Sequence, residues 1–279
     1  MERPQSIIIM RRSMNKYFLV SLLLFSYSAV NAGNTFLQDA ISDSHRSELN
    51  KKRDHFRHPL ETLNFFEVER DMSVVEIWPG GKAWYTEILA PYLKEKGKLY
   101  AAHFSEDSQI PYFKKNRQKF NDKLNANPEI YGSVVTSVLQ PPKTLEIAPK
   151  ASVDRVLTFR NIHNWMKNGQ ADAVFNAMYT VLKPNGILGV VEHRAKVDSK
   201  QDPKALSGYV TEAYIIALAE KAGFKLLDKS EINSNANDTT DYIKGVWTLP
   251  PSLRLKEQDR EKYLAIGESD RMTLKFIKK

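Results

Sequence analysis

The sequence contains no cysteine. That absence excludes a disulfide framework, a thiolate metal site, a cysteine nucleophile and a lipid-attachment cysteine. The dinucleotide pattern G-x-G-x-x-G is also missing, as is a P-loop lysine following two correctly spaced glycines, so nicotinamide and ATP are disfavoured as cofactors. No apolar run reaches the roughly 20 residues that span a bilayer. Internal repeats, low-complexity tracts and interdomain linkers are absent as well, which points to one domain.

The first thirty or so residues stand apart. In "MRRSMNKYFLVSLLLFSYSAVNA", Arg11, Arg12 and Lys16 precede an apolar centre from Phe18 to Tyr27, and Val30-Asn31-Ala32 offers small residues for cleavage. This is the pattern of a secretory leader over residues 1–32, with Met10 or Met14 as alternative starts. The expectation is therefore an exported, periplasmic or secreted protein without stable membrane insertion after cleavage. Losing the leader removes four basic residues against one acid, so the formal charge falls from +8 to +5. The remaining excess is diffuse, with "NKKR" and "YFKKNRQK" beside acids or on helix faces. It argues against a nucleic-acid partner.

Residues 33–279 read as a single domain: an N-terminal helical cap over 33–70, a core over 71–232, and an insertion plus last strand over 233–279. The cap is charged and periodic enough for one or two helices, interrupted before Pro59. Arg53, Arg57 and His58 there read as a solvated helix face rather than a lid. In the core, the apolar runs "SVVEI", "GKLYAAHF", "YGSVVTSVL", "VDRVLTF" and "GILGVVEH" alternate with helical patterns near 82–96, 109–126 and 168–182. A further helix ends at Gly223 before "FKLLDKSEI", and "RMTLKFI" supplies the last strand. Alternating strands and helices predict βαβ units and a mostly parallel sheet with helices on both faces.

The stretch "VVEIWPGGKAWYTEILAPYL" holds a strand ending at an acid, then a Pro-Gly-Gly turn, then an amphipathic segment. Ligands of open α/β sheets bind at the carboxyl ends of the strands. Glycines at such a turn let backbone approach a ligand closely, and a carboxylate there can hold an ammonium group or fix the loop.

Together with Leu182-Lys183-Pro184-Asn185-Gly186 leading into the fifth strand, "EIWPGG" resembles the class I S-adenosylmethionine-dependent methyltransferases. "RDHFRHPLETLNFF", "LTFRNIHNWM", "GVWTLPPS" and "GESDRMTLKF" extend the likeness to a subgroup of predicted exported methyltransferases, over nearly all of residues 45–279. The resemblance implies a Rossmann-like seven-strand sheet, S-adenosylmethionine as cofactor and a small methyl acceptor. It implies cofactor contacts from Glu76, Trp78, Gly80, Gly81, His103, Phe104 and Asn161. Three departures stand out: Trp78 occupies the first glycine of E-x-G-x-G-x-G, Lys82 and Ala83 interrupt the glycine-to-tryptophan run, and His103 ends the second strand where an acid normally grips the ribose.

His103, His163 and His193 follow strands two, four and five, on the edge where parallel strands deliver their ends. Of these, His163 is the expected general base and His193 the second candidate, with Glu192 as orienter and Arg160 as a substrate or carboxylate clamp. His163, Glu192 and His193 would make a metal site only by converging within ligand distance, and no close His-x-x-x-His spacing supports one, so no metal is expected. Trp84 and Trp247 are expected to pack, while Trp78 could face a ligand. Because S-adenosylmethionine is made in the cytoplasm, an exported chain also admits a second function: a non-catalytic envelope protein that keeps the fold and binds another small ligand. That reading predicts Trp78 or Lys82 in the space between Gly80 and Phe104; the enzyme reading predicts an open cleft there.

Overall fold

The computed structural model describes residues 35–279. The expected leader, residues 1–32, lies outside the described residues. The chain begins with α1 (35–42), α2 (Glu48–Lys51), α3 (Asp54–Arg57) and α4 (Pro59–Phe65). These four short helices replace the expected one or two. The break at Pro59 is where the sequence placed it: His58 adopts a left-handed conformation (φ 42°) and Pro59 then starts α4, a position that needs no amide donor.

The sheet follows with β1 (Ser73–Ile77), α5 (Thr86–Leu93), β2 (Lys98–His103), α6 (Pro111–Ala126), α7 (Pro128–Tyr131), β3 (Val135–Val138) and β4 (Val153–Phe159). The chain continues through α8 (Ile162–Lys167), α9 (Ala171–Val181), β5 (Leu182–His193), α10 (Glu212–Lys221), β6 (Phe224–Ser230), a 3-10 turn (Gly245–Thr248), α11 (Arg260–Ile266) and β7 (Arg271–Lys278). Strand order is β3-β2-β1-β4-β5-β7-β6, in which β7 alone runs antiparallel to its neighbours. This is the Rossmann-like, mostly parallel seven-strand sheet with helices on both faces that the sequence predicted. Among the described residues no helix is long and apolar enough to cross a membrane.

Both faces of the sheet are covered, which is why its central strands are nearly continuous apolar runs. Strand alternation sends Val75 and Ile77 into a core with Val156, Leu188, Trp165, Phe175 and Met178. It sends Val74 the other way, among Leu63, Phe66, Ile88, Leu89 and Leu157. Glu76 shares that second face, toward α5 and the cap. Gly189 in β5 lets the cap dock closely: a Cβ there would meet the Phe66 ring at 2.7 Å. The connection between β3 and β4 carries no helix, and a mostly apolar groove of about 920 Å³ opens between β3, residues 145–150 and α9.

Candidate functional site

The site is built at the carboxyl ends of β1, β4 and β5. Trp78 continues β1, donating its amide to Ala102 (2.8 Å), and takes φ 46°, a conformation that normally calls for glycine. Gly80 (φ 69°) completes the turn, and a Cβ there would find no heavy atom within 4 Å. The turn therefore presents open backbone to the cleft. Gly81 donates its amide to Asn116 Oδ1 (3.1 Å) on α6, which fixes the far side of the loop.

Glu76 lies beneath this turn, 2% exposed, and accepts a hydrogen bond from Thr86 Oγ1 (2.6 Å). Burial pushes its carboxyl up to about 8, against the lowering influence of the Thr86 hydroxyl and of Arg160. A buried carboxyl with one hydrogen bond and no direct ion pair is a poor anion until a cation reaches it.

Trp78 is half-buried beside Phe104. Its indole donates Nε1 to the Leu139 carbonyl (2.9 Å) and packs on Phe104 (centroids 4.7 Å), Phe113 (5.8 Å) and Trp165 (5.5 Å). Phe104 in turn stacks on Phe113 at 4.1 Å. Trp78 thus packs directly against Phe104, in the space where the non-catalytic reading placed it and where the enzyme reading expected an open cleft, while Lys82 is exposed on the loop. Trp84 is buried and donates Nε1 to Asn50, the packing role expected of it. Trp247 is half-buried, edge-on to His163 at 5.9 Å, with Arg254 over its ring at 4.5 Å.

His103 presents no atom to a ligand. It is fully buried beside Phe120, its Nδ1 accepts the Phe104 amide (2.7 Å), and burial followed by Arg117 pushes its pKa down to about 3. An uncharged ring sealed under the turn cannot replace an acid that grips ribose, so the expected ligand contact is corrected to a core role. Asn161 likewise turns inward: its Nδ2 donates to the Ile77 carbonyl (2.9 Å) and to Thr158 Oγ1 (3.3 Å), clasping β1 to β4.

Glu192, fully buried, organises the other half of the site. Its Oε2 accepts the Ile162 amide (2.6 Å), and its Oε1 accepts the His193 amide (2.9 Å) and lies 3.0 Å from His163 Nδ1. His163 Nε2 lies 3.0 Å from Asn164 Nδ2. Both ring nitrogens of His163 are therefore engaged, which disfavours the role of first-choice base. His193 is half-buried, its Nδ1 lies 2.5 Å from Ser269 Oγ, and Nε2 has no partner among the described residues. Burial, then His163, Arg160, Arg271 and Arg57, hold its pKa well below the ordinary value, so the ring is neutral at neutral pH. In the tautomer whose Nδ1–H donates to Ser269 Oγ, Nε2 is a free acceptor.

His163, Glu192 and His193 do converge, with ligand atoms within 4.8 Å of one another. Two features oppose a divalent cation there: Glu192 already accepts three donors, and three arginines face His193.

Of these arginines, Arg160 is the expected clamp, Arg57 the expected solvated face, and Arg271 carries no expectation from the sequence. Arg57 is 3% exposed, not a solvated face, and meets Glu268 at 3.5 Å and the Trp84 ring at 4.7 Å. Arg53 pairs with Glu268 at 2.6 Å and Arg271 with the same carboxylate at 3.3 Å. Arg160 (φ 63°) follows β4, and its guanidinium has no hydrogen bond or ion pair among the described residues. Partners 215 residues apart, as Arg53 and Glu268 are, leave no local sequence signal.

No protein-family model and no curated protein matches the sequence. Solved structures do. A SAM-dependent methyltransferase from Aquifex aeolicus is similar over 81% of this chain and 92% of its own, with 16% identity and a TM-score of 0.54. The (4+2)-cyclase SpnF is similar over 85% of this chain and 84% of its own, with 13% identity and a TM-score of 0.56. At these identities the likeness is one of fold, and the two proteins, a methyltransferase and a cyclase, are named for different chemistries.

Proposed function

We propose that the protein transfers a methyl group from S-adenosylmethionine to a small acceptor. The observation that supports this most is Glu76, a buried carboxyl under an open glycine turn at the end of the central strand. A ligand ammonium is the partner that makes such a carboxyl a stable anion. Gly80 admits the ligand's backbone-like end, and the half-buried, anchored ring of Trp78 suits a purine. The cofactor supplies an already activated methyl group, so the chain's task is alignment and, where needed, removal of the acceptor's proton.

His193 is the base in this scheme, held by Ser269 through Nδ1 and kept neutral by its surroundings. Glu192 and His163 are positioning residues: the carboxylate fixes the backbone of both α8 and β5, and His163 packs against His193 at 5.4 Å. Residues 1–32 support a location outside the cytoplasm. N-terminal sequencing of protein from the cell envelope checks cleavage after Ala32.

Calorimetric titration with S-adenosylmethionine and S-adenosylhomocysteine tests the proposal. Binding that disappears in Glu76→Gln is expected. A folded protein that binds neither compound would remove the cofactor, and with it methyl transfer, in favour of the non-catalytic ligand-binding role.

A further inference from the structure

Arg53, Arg57 and Arg271 converge on Glu268 at the carboxyl edge of the sheet, and Arg160 lies within electrostatic range of all three. Arg53 and Arg57 come from the cap, Arg160 from the end of β4 and Arg271 from the start of β7, where it stands opposite His193. Among the described residues, Glu268 is the one carboxylate that meets them directly. Burial raises the Glu268 pKa, but Arg57, Arg271 and Arg53 outweigh this and hold it at about 2, so it is charged. Glu76, also within range of Arg160, keeps its proton at neutral pH and offsets nothing. The cluster carries a surplus of three positive charges.

That surplus is costly. Arg57 and Arg271 are 3% and 2% exposed, and burial together with mutual repulsion weakens the hold of Arg57, Arg160 and Arg271 on their protons. Glu268 satisfies Arg53 closely and Arg57 only at 3.5 Å; Arg160 donates to no described residue. A guanidinium offers five donors in a planar fork suited to carboxylate and phosphate oxygens. The same field that opposes a cation at His193 favours an anion beside it.

We infer that Arg53, Arg57, Arg160 and Arg271 form a binding site for a carboxylate or phosphate group carried by the methyl acceptor. The identification of the ligand as the acceptor rests on the proposed methyl transfer; the anion site itself does not. Bound there, the acceptor lies in the electrostatic range of His193, and its negative charge strengthens that histidine as a base.

Calorimetry on the full chain at low ionic strength, with pyrophosphate and malonate as probes, tests the inference. The expected result is binding of at least one probe to the wild type, weakened at least tenfold in Arg160→Gln and in added salt. Whichever probe binds more tightly gives the class, phosphate or carboxylate. Arg160→Gln breaks no hydrogen bond and should melt with the wild type; Arg53→Gln provides a second variant. No binding of either probe to folded wild type, or equal binding by both variants, would overturn the site. Pyrophosphate that displaces S-adenosylmethionine would assign the arginines to the cofactor's own carboxylate and overturn the acceptor assignment. Arginine-dependent pyrophosphate binding without any S-adenosylmethionine binding would uphold the anion site while removing methyl transfer.

Discussion

Trp78 is the residue where the chain departs most from a glycine turn, since a bulky L-residue holds a φ of 46°. Such a conformation persists only when surroundings over-determine it, here through the Leu139 hydrogen bond and three aromatic neighbours. If the indole is a wall for the purine, Trp78→Ala should weaken S-adenosylmethionine about tenfold, in line with roughly 1–3 kcal/mol for stacking a base on an aromatic ring. Tighter binding would show that the ring obstructs the site instead. The two histidines separate in the same way. His193→Ala should lower kcat about 100-fold or more with acceptor present, the loss typical of a missing general base. His163→Ala, which removes a positioning contact, should do less and leave the pH dependence of kcat in place; an equal loss with an altered profile would return the base to His163.

At the level of elements, the cap and the sheet are joined through Phe66 and Gly189. Gly189→Ala puts a methyl 2.7 Å from the Phe66 ring, and overpacking of this kind costs about 1–3 kcal/mol. Thermal unfolding should show a melting point lower by several degrees, with Phe66→Leu restoring part of it; an unchanged melting point would mean that the cap shifts freely. The sheet itself was plainly written in the sequence. "SVVEI" and "VDRVLTF" became β1 and β4 end to end, because buried parallel strands are short apolar runs with few alternatives. "YGSVVTSVL" was read too long at its start, since Pro128–Tyr131 winds into α7 first. The six-residue α8 escaped notice because "IHNWMK" is too short to show a helical period. The site was legible only along the chain: Glu76, Gly80 and His193 stand at strand ends that can be counted, whereas the Arg53–Glu268 and His193–Ser269 pairings depend on the folded sheet.

Across the whole molecule, buried titratable groups shape the dependence of stability on pH. Glu76 holds its proton to about pH 8 while the unfolded chain releases it near 4.5, so this group removes stability as pH rises between those values. His103 stays neutral down to about pH 3 while the unfolded chain takes up a proton near 6.5, so it removes stability as pH falls through that window, and His193 acts in the same direction. Below 6.5 two histidines oppose one carboxyl; above 6.5 the carboxyl acts alone. Urea unfolding should therefore show greatest stability at about pH 6.5, with a loss of roughly 2 kcal/mol by pH 8. Glu76→Gln should abolish the alkaline loss and keep the acid one, and a variant with the wild-type profile would mean that Glu76 is ionised in the folded protein.

β7 lies between β5 and β6, and among the described residues β6 pairs with no other strand. As the chain emerges N-terminus first, β6 must therefore wait unpaired until residues 271–278 follow, while β1 to β5 can already assemble. Arg271 and Glu268 arrive with that same late segment. A nascent chain can thus own its glycine turn and its central strands before it owns the charges gathered around Arg160, so the edge of the sheet becomes competent for an anion only as the last strand slides home.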